Sequence, residues 1–134
     1  KFIVNMNIKA AFGDKDKVTD KLQQRYFDLT MRQGNREALV NVFRTMKEQS
    51  KNPHLGDRVK EIKIPTLLMW GDQDEWVPLS IMEQFEQALP DSQSIVYEGV
   101  GHMPMEELPT QTSRDAHGFF TLGKTLASPL VVVP

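Results

Sequence analysis

The feature that most restricts the fold is the stretch Ile64–Gly71, IPTLLMWG. An apolar run of this length with no polar alternation, closed by glycine, reads as a strand buried on both faces. The polar loop GDQDEWVP follows, and Pro78 suits the first turn of a helix that runs to about Leu89. Ile81, Phe85, Ala88 and Leu89 share one face of that helix, PDS ends it, and QSIVYEG reads as a second strand. Strand, helix and strand in this order predict a βαβ unit with parallel strands and a right-handed crossover. A last helix over about 111–120 offers Ala116, Phe119 and Phe120. The tail SPLVVVP is apolar but too short and too proline-bounded to assign.

Upstream of the first strand the pattern is helical. Residues 1–17 carry little periodicity and include the turn-like FGDKDK. From Thr19 to about Met31, Leu22, Tyr26 and Leu29 recur at helical spacing. QGN breaks that helix, with Gly34 as the stop and Asn35 as the expected N-cap of the next. The second helix, about 36–49, has the stripe Ala38, Leu39, Val42, Phe43 and Met46, and SKNPHLGD is a loop. These two stripes need a partner surface. The opening KFIVNMNIKA has no initiator methionine and reads as mid-sequence.

Composition excludes several classes of partner. The 134 residues suffice for one domain of ordinary size, and a net charge of −2 supplies no basic field for nucleic acid or an anionic membrane. No apolar run approaches the roughly 20 residues that span a bilayer. The absence of cysteine excludes disulfides, thiolate zinc sites and a cysteine nucleophile, and fits a cytoplasmic location. There is neither a ligand cluster for a metal nor a glycine-rich phosphate loop, so no metal and no cofactor are expected.

In a parallel α/β sheet, functional groups collect in loops after the carboxyl ends of strands. The first such loop offers Asp72, Asp74 and Glu75, and the second offers His102. Parallel strands put both loops at one end of the sheet, where a carboxylate can hold one imidazole N–H and leave the other nitrogen to take a proton. His54, in a polar loop, and His117, in the last helix, have no such neighbour and read as solvated or structural.

The segment IPTLLMWGDQDEWVP resembles the acid-bearing segment of α/β-hydrolases, P-T-L-x-x-x-G-x-x-D-x-x-x-P. GVGHMPMEELP resembles that fold's histidine loop, G-H-x-P followed by acidic residues and proline. By position the resemblance makes Asp74 the catalytic acid and His102 the general base, with Asp72 a turn residue. Trp76, Val77 and Met103, beside them, are candidates to line a substrate pocket, although packing explains each as well. Glu106 and Glu107 read as loop and helix-start charges. The helices at 19–49 look like part of the cap over such sites. The implied division is a cap segment over 1–55 and the C-terminal part of the hydrolase core over 56–134.

The family's nucleophile motif, G-x-S-x-G, is missing. Ser50, Ser80, Ser92, Ser94, Ser113 and Ser128 all lie in other settings. Family members run nucleophile, acid, histidine, so the expected fold class is α/β, the C-terminal part of an α/β-hydrolase without its nucleophile half. The expected function is to supply acid and base for hydrolysis of an ester or related carbonyl, inactive alone. The expected partners are a small-molecule substrate and either the nucleophile-bearing portion of the same protein or a second copy of the chain. Two alternatives stay open: an aspartate nucleophile, as in epoxide hydrolases and haloalkane dehalogenases, and a non-catalytic interaction module.

Overall fold

The computed structural model describes residues 1–122 except 53 and 55, together with the backbone of 131–133. In chain order the helices are α1 (Phe2–Ala11), α2 (Asp20–Met31), α3 (Asn35–Gln49), α4 (Leu79–Ala88), α5 (Pro104–Glu107) and α6 (Pro109–Leu122). The strands are β1 (Thr66–Gly71), β2 (Ser92–Tyr97) and β3 (Val131–Val133), in the spatial order β1-β2-β3. The strand–helix–strand expectation holds: β1 and β2 are parallel and in register from Thr66 opposite Ser92 to Gly71 opposite Tyr97. Their carboxyl ends are therefore level, and the loops that follow leave the sheet side by side.

The expectation that the first strand is buried on both faces is not met. Thr66–Trp70 are only half-buried, and Ile62 and Ile64 before them are exposed. The cause is position: β1 is the edge strand, hydrogen-bonded to β2 alone among the described residues. β2 lies between two strands, and Ser94–Tyr97 are all buried. Ile95, Tyr97 and Val100 form one core, flanked by Leu67, Met69 and Leu108. The Tyr97 hydroxyl donates to Asp115 Oδ2 at 3.1 Å, and burial raises its pKa far above the usual phenolic range.

Three other expectations need correction. Residues 2–11, read as aperiodic, form α1, because Ile8 and Ala11 bury against Phe12 and Val18. Gly34, with φ +84°, is the N-cap of α3, while Asn35 is already helical. The unassigned tail contributes β3, with Val131–Val133 paired in parallel to Ile95–Tyr97. Its flanking residues 128–130 and 134, like Pro53 and Leu55 of the expected loop, lie outside the described residues.

The expected helix at 19–31 is present and well capped: Thr19 Oγ1 accepts the backbone N–H of Leu22 at 3.2 Å. Helix α2 packs on α1, with Leu22 and Tyr26 against the α1 core. Helix α3 packs on α2 but buries no residue, so Leu39, Val40, Val42, Phe43 and Met46 are all exposed. No helix of the described residues is long and apolar enough to cross a membrane.

Candidate active site

The level strand ends bring together the two residues that the spacing singles out. Asp74 sits in the turn after β1, and its Oδ1 accepts the backbone N–H groups of Trp76 and Val77, each at 2.9 Å. Its other oxygen, Oδ2, lies 2.8 Å from Nδ1 of His102 in the loop after β2. The Asp74 side chain is 4% exposed and the His102 ring 36%. A carboxylate only accepts, so Nδ1 is the nitrogen that turns a hydrogen toward it, and in the neutral ring Nε2 then keeps its lone pair. The exposed fraction of the ring leaves His102 reachable by a reacting group.

Backbone lacing holds the two loops at this distance. Asp72 N–H donates to Tyr97 O at 3.1 Å and Gln73 N–H to Val100 O at 2.9 Å. Asp72 Oδ1 accepts Gly99 N–H at 2.7 Å, so Asp72 ties the loops together and does not meet the imidazole. Gly99 has φ +71°, a left-handed turn that a glycine adopts without strain. The backbone of His102 is itself anchored, its N–H donating to Ala11 O at 2.8 Å.

This lacing leaves no room for side chains. A Cβ on Gly101 would come 2.5 Å from Ala11 O and 2.6 Å from Gly13 N, both backbone atoms that cannot swing aside. Gly101→Ala is expected to cost at least about 1–3 kcal/mol, the usual penalty for overpacking. A urea titration checks this; an unchanged midpoint would show that the loops yield freely.

The three candidate substrate contacts have different surroundings. The Trp76 ring is half exposed, with its centroid 5.0 Å from that of His102 and a tilt of 41°. Val77 is half-buried, its N–H given to Asp74 and its carbonyl accepting Trp70 Nε1 at 2.9 Å. Met103 packs against Ile8, Ala11, Phe12 and Val18, at the junction of α1 and the histidine loop. Glu75 is exposed, His54 pairs with Asp57 at 3.0 Å in solvent, and His117 is exposed on α6. Among the described residues, no group of three or more His, Asp or Glu side chains is placed to hold a metal.

The profile of the alpha/beta hydrolase fold matches residues 5–109. The chain belongs to that family. Among curated hydrolases, Lipase 3 of a Moraxella species is 35% identical over 75 residues, which are 54% of this chain and 24% of that lipase. The 2-hydroxy-6-oxononadienedioate/2-hydroxy-6-oxononatrienedioate hydrolase of Paraburkholderia phymatum is 31% identical over 90 residues, 66% of this chain and 31% of the enzyme. Of solved alpha/beta hydrolase structures, a serine hydrolase involved in carbazole degradation, the CarC enzyme, superposes with a TM-score of 0.80 at 23% identity, covering 89% of this chain and 46% of that one. The meta-cleavage product hydrolase CumD of Pseudomonas fluorescens gives 0.73 at 20% identity, covering 90% and 45%. The matched region thus spans about a quarter to a third of these curated relatives and under half of the solved chains.

One residue of this alpha/beta hydrolase-fold chain has a setting that its sequence does not announce. Glu107, read as a loop or helix-start charge, does lie in the short helix α5, but it is 5% exposed and accepts three backbone N–H groups: Gly13 at 3.1 Å, Asp14 at 3.0 Å and Gly101 at 2.7 Å. Its neighbour Glu106 faces α2 instead, paired with the Arg25 guanidinium and accepting the Tyr26 hydroxyl at 3.0 Å. Glu106 raises the pKa of Arg25, and burial together with the Glu106 bond raises that of Tyr26. In the sequence, the acidic pair after the histidine was the only hint, and it did not tell which of the two turns inward.

Proposed function

We propose that Asp74 and His102 are the acid and base of a serine-type hydrolase acting on a carboxylic ester or a carbon–carbon bond beside a carbonyl. In this reading a segment upstream of Lys1 supplies the nucleophile. The observation that supports it is the 2.8 Å contact between a buried carboxylate and a reachable imidazole at adjacent parallel strand ends. Nε2 of His102 takes the proton of a serine hydroxyl as its oxygen attacks the carbonyl carbon. The imidazolium, stabilised by Asp74, then gives that proton to the leaving group, and the regenerated base activates water to release the acyl group. Trp76, Val77 and Met103 would border the acyl group, and residues 1–55 would form part of a cap. Relatives named as lipases and as a 2-hydroxy-6-oxononadienedioate hydrolase fit this substrate range.

A base without a nucleophile offers only weak assistance to water. The 134-residue chain alone is therefore expected to show negligible turnover of an aryl ester. Addition or fusion of the upstream segment is expected to bring activity to the level of an intact relative. Full turnover by the chain alone, or none after addition, would overturn the proposal.

The partner in this reading is the nucleophile-bearing portion of the same protein. The edge of β1 that pairs with no strand among the described residues and the exposed stripes on α1 (Phe2, Ile3, Met6) and α3 are the surfaces it would cover. Without that portion the chain is expected to self-associate. Light scattering at micromolar concentration checks this, and a compact monomer would count against it.

A further inference from the structure

We propose that Glu107 is a positioning residue that sets His102 in place through the backbone, a role that rests on the reading of His102 as the general base. Its carboxylate is buried, touches no cationic side chain among the contacts described for it, and faces three main-chain donors from two chain segments. Gly13 and Asp14 belong to the turn that leaves α1. Gly101 directly precedes His102. The same two segments are bridged again by His102 N–H to Ala11 O.

The geometry of these segments explains why a carboxylate is required. Gly13 and Gly101 approach so closely that a Cβ on either would strike the other segment's backbone, at 2.3 Å from Gly99 O and 2.6 Å from Gly13 N. The three main-chain N–H groups turn their positive ends toward the one carboxylate, that of Gly101 in a buried bond and those of Gly13 and Asp14 in half-buried ones. An anion at that point satisfies all three, and burial makes the Gly101 bond in particular stronger than it would be in solvent. A glutamine of the same shape offers one oxygen and turns an N–H₂ toward a remaining donor, so at least one N–H loses its acceptor. The loop that carries the imidazole then loosens, although Asp74 is untouched. None of the contacts described for Glu107 is to the His102 ring, so its influence passes through the backbone: through Gly101 directly, and through the segment 11–14, where Ala11 O accepts His102 N–H.

The test uses proton NMR on the ¹⁵N-labelled chain assembled with the nucleophile-bearing portion, with two variants, E107Q and E107D, and a urea titration of each. Two protons are followed: His102 Nδ1–H, expected far downfield through its bond to Asp74, and the backbone N–H of His102. In folded E107Q both are expected to exchange with solvent faster by a factor of about ten or more, the fold-change that corresponds to losing one charge-assisted hydrogen bond. E107D, which keeps the charge on a shorter stem, is expected to fall between. Unchanged exchange in folded E107Q overturns the proposal. Should E107Q fail to fold, E107D decides: faster exchange supports the proposal and unchanged exchange overturns it. Unfolding of both variants also overturns it, because Glu107 would then hold the chain together and not the loop. D74N separates this from the reading of the site. If the downfield resonance is absent from the wild type or survives D74N, the acid–base reading fails, while the backbone N–H of His102 still reports on Glu107.

Discussion

His102→Ala is expected to lower kcat by about 10⁶-fold in the enzyme formed with the nucleophile-bearing segment, the scale seen when the base of such a catalytic unit is removed. Without Nε2 the serine hydroxyl has no acceptor for its proton, and the leaving group has no donor. What remains is the rate supported by binding and by any oxyanion stabilisation. The fold should survive, because the ring is partly exposed and Asp74 keeps its bonds from Trp76 and Val77. Single-turnover and steady-state rates with a saturating aryl ester measure the effect, and circular dichroism checks the fold. A loss below about a hundredfold, the lower end for one general base, would place the base elsewhere.

Asp74→Asn is expected to cost about 10⁴-fold in kcat with little change in KM, because it inverts the tautomer and leaves the shape intact. The amide oxygen can still accept from Trp76 and Val77, which fixes the amide N–H₂ toward Nδ1. Nδ1 must then accept, the ring hydrogen moves to Nε2, and the nitrogen that should take the serine proton is already occupied. The effect is smaller than for His102→Ala because a minor fraction of the correct tautomer persists. A kcat within tenfold of wild type would mean that Asp74 is only a cap for its own turn. A rise in KM instead would mean that it shapes the pocket.

The parts of this fold that were legible in sequence are those whose cause is local. TLLMWG and SIVY announce strands by composition, and Thr19 announces a helix start by its side chain. Asp74 and His102 follow from the rule that parallel strands end at one edge. The parts that were not legible depend on partners far along the chain. FIVNMNIKAA mixes β-branched residues and asparagines, poor helix formers, and folds as α1 because Ile8 and Ala11 meet Phe12 and Val18. VVV between prolines becomes a strand only because β2 has a free edge. Glu107 resembles any acid near a helix start until Gly13 and Asp14, more than ninety positions away, are brought against it. Two-sided burial of β1 was overread for a related reason: the run records how apolar the strand is, and not whether a neighbour lies on its outer side.

Asp74 and His102, 28 positions apart, each follow a strand of the one unit β1–α4–β2, so the proposed acid and base are mounted on one piece of chain whose strand pairing sets their spacing. A dyad built this way is complete before any third group arrives. In the proposed mechanism an incoming serine is then the one side chain left to place, and most of the ordering entropy of that reaction centre is spent during folding of this segment. Exchange of the upstream portion between related proteins should for that reason alter which substrate is turned over more readily than whether proton transfer works.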